Sequence, residues 1–344
     1  MRMTMTMLSV AGLAAAIGMT ACSSSNADSA GSSDSGGSGS GGGKVAIVAY
    51  SVPKPAYDAL ATAFKATSAG KGVTFSASYG ASGDQSRAVA NGQKADYVAF
   101  SIEPDLTKLV PDFVDADWNA GATKGLVSDS IVVLAVRKGN PKGIKGWDDL
   151  IKPGVQIVSP DPGSSGSAKW NLLAAYAHGF AQGGDAGGQD YLKKFAANLK
   201  SKPESGSKAT QTFLAGTGDV LISYENEAIG AKQQNQALDY VVPDDSILIE
   251  NPAAVTKGAS PASKDFLAFV ESEAGQEILA SKGFRPVLAS TKIGSVTGAL
   301  DPANPFPVPA HLTTIKDLGG WSKVNKKYFD KTDGIITKIL NGTG

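Results

Sequence analysis

Apolar positions along this chain change period repeatedly, between two and roughly three and a half, and each change marks an element. Residues 44–50 form a β-branched run that predicts a strand. Pro55 then opens Ala56, Tyr57, Leu60, Ala63 and Phe64, spaced along one helix face with the proline in the first turn. Residues 73–78 alternate as a strand, Gly80 and Gly83 turn the chain, residues 85–91 predict a helix and 95–101 a further strand. The short apolar runs 131–136 and 155–159 read as buried strands separated by a helix-like 147–151. After Ser165 and Gly166, residues 168–178 are strongly helical, and the strand 219–224 runs straight into Glu225, Asn226, Glu227 and Ala228. The glycine-rich stretch 183–188 reads as a loop, without the lysine of a phosphate-binding loop. This alternation predicts an α/β architecture with largely parallel sheets. No period of 20 to 50 residues recurs, which excludes a solenoid.

The patterned region starts near Lys44 and runs for about 300 residues, beyond the size at which one core usually stops growing. Two lobes are therefore expected: 44–132 with a returning segment 252–344, and 133–251. The extended runs 131–137 and 247–255 would be the two crossings. Upstream, Arg2, an apolar run over 8–19 and the small residue Ala21 before Cys22 have the form of a secretory signal over 1–21, too short to span a bilayer. Residues 23–43 contain 9 Ser and 7 Gly among 21 and cannot bury a core, so 22–43 reads as a flexible tether.

Composition narrows the chemistry. The 344 residues carry 32 basic and 32 acidic side chains, so there is no electrostatic footprint for a polyanion and nucleic-acid binding is disfavoured. One cysteine, Cys22, and two histidines, His178 and His311, exclude an internal disulfide and a Cys/His zinc cluster. No metal or cofactor is expected. Small polar residues instead gather where loops or strands hand over to helices: Ser51, Ser82-Gly83, Ser165-Gly166-Ser167, Ser207 and Tyr224. Helix N-termini carry partial positive charge and unpaired N–H groups, so several converging at strand ends form a cage for a tetrahedral anion. Any one such serine is more often a cap for its own helix.

Four segments, YGASGDQSRAV at 79–89, the long block at 136–176 that contains DPGSSGSAKW, GDVLISYENEA at 218–228 and GGWSKVNKKYF at 319–329, resemble the sulfate-binding proteins that serve ABC importers. The resemblance implies a type II periplasmic-binding fold, two α/β lobes joined by two crossing segments with a closing cleft. It further implies a monomeric, non-enzymatic receptor that delivers sulfate, with thiosulfate as a further candidate ligand, to an ABC permease. In that family neutral donors hold the anion. Their positions fall here on Ser51, Ser82, Ser165, Gly166, Ser167, Ser207 and Tyr224. Three of these depart from the family: Ser51 replaces an acidic residue used through its main chain, Ser167 replaces glycine and Tyr224 replaces tryptophan. Cys22 after a small residue resembles a lipobox, which implies a lipid anchor on the cell membrane.

Tyr224 matters most, because an indole only donates whereas a phenol also accepts. Asp84 reads as a first-turn carboxylate on its own helix; inside the cleft it would instead accept the proton of hydrogen phosphate. Phosphate or molybdate is thus the alternative ligand. Lys169 and Lys208 read as solvated flanking charges, and Trp147, Trp170 and Trp321 as core or surface anchors. The Ser-x-x-Lys spacings at Ser51–Lys54 and Ser205–Lys208 raise a serine hydrolase, but the companion Ser-Asp-Asn and Lys-Thr-Gly motifs are absent.

Overall fold

The computed structural model describes residues 42–343. The expected signal segment, Cys22 and nearly all of the tether therefore lie outside the described residues. The chain opens with β1 (Lys44–Tyr50), α1 (Lys54–Lys65), β2 (Thr74–Gly80), α2 (Ser82–Ala90), β3 (Tyr97–Ala99) and a short α3 (Glu103–Thr107). β1 pairs in parallel with β2 on one side and β3 on the other. Val45, Ile47 and Ala49 of β1 face Tyr57, Leu60 and Phe64 of α1, while Val48 faces a second core with Val98, Phe100 and Leu106. α1 begins as its sequence requires, with Pro55 in the first turn, where a missing N–H breaks no helical bond.

The second lobe holds β4 (Leu126–Arg137), α4 (Trp147–Leu150), β5 (Ile157–Val158), α5 (Gly166–Ala197), β6 (Leu199–Ser201), α6 (Gly206–Leu214), β7 (Val220–Tyr224), α7 (Glu225–Gln233) and β8 (Leu238–Val241). β5 runs parallel to β6 and β7. Residues 131–136 of β4 are buried on both faces and so read as an unbroken apolar run. Its Val132, Leu134 and Val136 pack with Trp147, Trp170, Phe195 and Ile222; its Ile131, Val133 and Ala135 pack with Phe213, Leu221 and Ile229.

β9 (Asp245–Val255) returns the chain, followed by α8 (Pro261–Glu271), α9 (Glu273–Ser281), β10 (His311–Thr313), α10 (Trp321–Tyr328) and α11 (Ile335–Leu340). The strand order is β2-β1-β3-β9-β4-β7-β5-β6, with β8 beside β4 and β10 beside β9. The sheets are parallel within each lobe, but β4 and β9 run antiparallel to each other and to β7, β8 and β3. The ribbon of residues 126–131 against 248–252 joins the lobes. Most of the expected crossing 131–137 pairs with β7 and β8.

The segment 252–344 divides. Phe266, Val270 and Leu279 of α8 and α9 pack in the first lobe, whereas Trp321, Val324, Tyr328, Ile336 and Ile339 join the core of Trp147 and Trp170. The loop expected over 183–188 shrinks to a break at Gly183 and Gly184, the latter at φ +63°, inside α5. There the helix folds back on itself, and a Cβ at Gly179 would sit 2.6 Å from the Gly187 carbonyl oxygen. Among the described residues no helix is long and apolar enough to cross a membrane, and no three His, Cys, Asp or Glu side chains are grouped to hold a metal.

Candidate functional site

The carboxyl ends of the parallel strands are where ligands bind in open α/β sheets, and the serines singled out in the sequence lie at those ends. Ser82 begins α2, is 2% exposed, and donates its hydroxyl to Asp105 Oδ2 at 2.7 Å while accepting the Ser101 N–H at 3.0 Å. Lys108 holds the other oxygen of Asp105 at 2.8 Å. Ser101 Oγ lies 2.7 Å from the Tyr224 hydroxyl, and the Ser101 carbonyl accepts from Trp170 Nε1 at 2.9 Å and Asn251 Nδ2 at 3.1 Å. Ser101 therefore joins the first lobe, the second lobe and the connecting ribbon.

From the second lobe, Ser165 caps α5 in an extended backbone conformation without a side-chain capping bond, and Gly166 and Ser167 form the first turn. Gly166 is pressed against Ser101; a Cβ there would be 2.7 Å from Ser101 Oγ. Gly83 N–H donates across the lobes to the Ser164 carbonyl at 2.9 Å. Ser167 lies against the Tyr224 hydroxyl. At α6, Ser205 accepts the Lys208 N–H with its side chain, and Ser207 occupies the first turn. Gly206 meets the first lobe, since a Cβ there would be 2.9 Å from Val52 Cγ2. Ser51 and Ser207 face a common groove of about 710 Å³ between the lobes. Ser51 and Ser207 thus line the groove, while Ser82, Gly166 and Tyr224 gather around Ser101, with Ser167 against Tyr224 and Ser165 directly before Gly166.

The electrostatics favour neutral donors. Tyr224 is fully buried, and burial pushes its phenol well above the ordinary range, so the hydroxyl keeps its proton. Asp84 pairs with Arg87 on the exposed face of α2 and takes no place among these residues. Lys169 donates to Asn325 Oδ1 at 2.9 Å, stacks over Phe329 and is lowered to about 8 by burial. It points to the C-terminal helices and is half-buried, not the solvated flank expected. Lys208 is exposed at the groove. Lys54 pairs with Asp58 at 2.6 Å, so it does not activate Ser51, and Ser205 is a helix cap.

The bacterial extracellular solute-binding protein family model matches residues 45–285. The chain belongs to that family. Among curated relatives, a sulfate-binding protein of Synechococcus elongatus is 35% identical, over 83% of each chain. A thiosulfate-binding protein of Pseudomonas aeruginosa is 30% identical, over 82% of this chain and 88% of its own. Among solved structures, the sulfate-binding protein SubI from Mycobacterium tuberculosis superposes with a TM-score of 0.78 at 46% identity, covering 83% of this chain and 99% of its own. The fold is the two-lobed type II arrangement of periplasmic binding proteins. Three residues of this solute-binding protein's cleft escaped the sequence: Ser101, Asp105 and Glu227. Ser101 ends a predicted strand and Ser51 directly follows one, and that similar placement was the available signal.

Proposed function

We propose that this solute-binding protein is an extracytoplasmic sulfate receptor that delivers its ligand to an ABC permease, binding without catalysis. The observation that carries this reading is the contact of the N-terminal turns of α2 and α5 with one another and with Ser101 and Tyr224, beside the α6 turn that lines the interlobe groove. Three nearby cations are engaged elsewhere, Lys108 with Asp105, Lys169 with Asn325 and Arg87 with Asp84, while Lys208 and Lys282 line the groove. Hydrogen bonds to a charged group contribute about 1.5–3 kcal/mol each, so a handful offset much of the dehydration of a dianion. A direct lysine contact would slow release.

The ligand set is Ser51, Ser82, Ser165, Gly166, Ser167, Ser207 and Tyr224, acting through backbone N–H groups and hydroxyls. The names and coverage of the relatives support sulfate as the anion. The lobes close about the β4–β9 ribbon. Cys22 carries the lipid that keeps a monomeric receptor at the membrane.

A second reading, a carrier of a protonated oxyanion such as hydrogen phosphate, is favoured by one observation. The Ser101 and Tyr224 hydroxyls share one hydrogen bond, which leaves the pair both a donor and free acceptor lone pairs. Calorimetric titration with sulfate, phosphate and molybdate decides. Tight sulfate binding unmatched by phosphate supports the first reading; preferential phosphate binding replaces it with the second.

A further inference from the structure

Arg285 joins three parts of the fold at one point. Phe284, directly before it, is buried in the core of the first lobe. The Arg285 backbone exchanges hydrogen bonds of 2.8 Å in both directions with Asp129 of the β4–β9 ribbon. Its side chain reaches the second lobe, where Nε donates to Glu225 Oε2 at 2.7 Å and Nη2 to Glu225 Oε1 at 3.0 Å. Nη2 also donates to the Pro307 carbonyl at 2.6 Å. The Glu225 side chain is fully buried and that of Arg285 is 12% exposed.

Glu225 is the first residue of α7 and directly follows Tyr224, the last residue of β7. Tyr224 occupies the cap position of α7 without a side-chain capping bond, and its hydroxyl instead meets Ser101 Oγ at 2.7 Å. Two further contacts seat the same turn. Asn226 N–H donates to Ser130 Oγ of β4 at 3.4 Å. Gly283, at φ +87°, comes so close that a Cβ there would lie 3.1 Å from Asn226 Cα.

Desolvation offsets much of the Coulombic gain of a buried ion pair, so such a pair adds little net stability. What a bidentate guanidinium–carboxylate fork does supply is a fixed relative position. Glu225 and Tyr224 are neighbours in the chain, so the direction of the phenol follows the placement of that carboxylate. We propose that Arg285 is a positioning residue of the anion site, which through Glu225 pins the Tyr224 hydroxyl to the ribbon about which the lobes close. This rests on the sulfate reading above, with Tyr224 as a ligand. The role is one of geometry, since the guanidinium spends its bonds on Glu225 and Pro307 and not on the anion-binding set.

The test is a double-mutant cycle read by calorimetric titration with sulfate, on wild type, Arg285→Lys, Tyr224→Phe and the two combined. Lysine keeps the charge and loses the fork, so it separates position from attraction. Each single variant is expected to weaken sulfate about tenfold, and the combination hardly more than Tyr224→Phe alone, because both act on one hydroxyl. Melting curves of the ligand-free proteins establish that each is folded at the temperature of titration. Should Arg285→Lys not be, Glu225→Gln, which keeps an acceptor toward the guanidinium, takes its place in the cycle; if neither folds, the pair serves the fold and the proposal is withdrawn. Unchanged affinity in Arg285→Lys overturns it. Losses that multiply in the combined variant also overturn it, since Arg285 would then act on the cleft by a route other than Tyr224. Wild-type affinity in Tyr224→Phe removes the tyrosine from the site, and the proposal with it, while leaving the sulfate reading in place. Failure of wild type to bind sulfate overturns both.

Discussion

Each serine in the cleft has a local duty that fixes what its removal would do. Ser82 satisfies two buried groups, Asp105 Oδ2 and the Ser101 N–H, and Ser82→Ala strands both. An orphaned buried partner costs about 1–3 kcal/mol, so this variant is expected to lower both the melting temperature and the sulfate affinity. Ser165 makes no side-chain capping bond. Ser165→Ala is therefore expected to weaken sulfate by about 1–3 kcal/mol and leave the melting temperature of the ligand-free protein unchanged. Thermal melts and titrations of the two variants make the comparison, and unchanged affinity in both removes these side chains from the site. The seven expected positions rest on polar residues and a glycine at strand-to-helix junctions and on the family resemblance that assigns them a role. Ser101 and Glu227 were not legible, since what distinguishes them is contact with residues more than ten positions away: Ser101 with Tyr224, and Glu227 with the turn at Gly206. Such contacts arise from strand order and helix placement, and no local period encodes them.

Elements were read well where period and breakers agreed, as in β1, in α1 behind its proline and in β7 running into α7. They were misread where distant packing decides. The glycines of 183–188 suggest a loop, yet with Gly179 they allow two halves of α5 to approach closely on either side of a single turn. The ribbon of β4 and β9 carries a further consequence that sequence alone conceals. Asp129 and Glu250 are direct cross-strand partners, and like charges in that relation are destabilising. Burial, and then Glu250, push the Asp129 carboxyl up to about 7 against the pull of Arg285, whose guanidinium is engaged by Glu225. Asp129 Oδ1 is buried without a partner. A raised folded-state pKa means stability that is complete below the ordinary carboxyl range and is lost as pH rises through about 7. Asp129→Asn, which keeps both 2.8 Å backbone bonds to Arg285, is expected to raise the melting temperature by several degrees at pH 8 and hardly at all at pH 4. Scanning calorimetry at both values checks this, and an equal shift at each would remove the carboxylate as the cause.

At the scale of the whole molecule, function depends on two lobes meeting closely enough to exclude water and parting readily enough to release. Closure here rests on missing side chains. Gly166 and Gly206 let α5 and α6 come against Ser101 and Val52, and Trp170 Nε1 fastens the contact by donating to the Ser101 carbonyl. Interiors pack too tightly to absorb an added carbon without movement. Gly166→Ala, whose new Cβ would meet Ser101 Oγ at 2.7 Å and Ser101 Cβ at 2.8 Å, is expected to hold the lobes apart. Sulfate affinity should fall at least tenfold, while each lobe keeps its core and the ligand-free melting temperature stays close to wild type. Small-angle scattering should show compaction on adding sulfate to wild type and little in the variant. The Trp170 fluorescence change should follow the same order. Ser101→Gly in the Gly166→Ala background vacates both atoms in the way and should restore compaction even though a hydroxyl is lost. If Gly166→Ala compacts and binds as wild type does, closure does not pass through this contact.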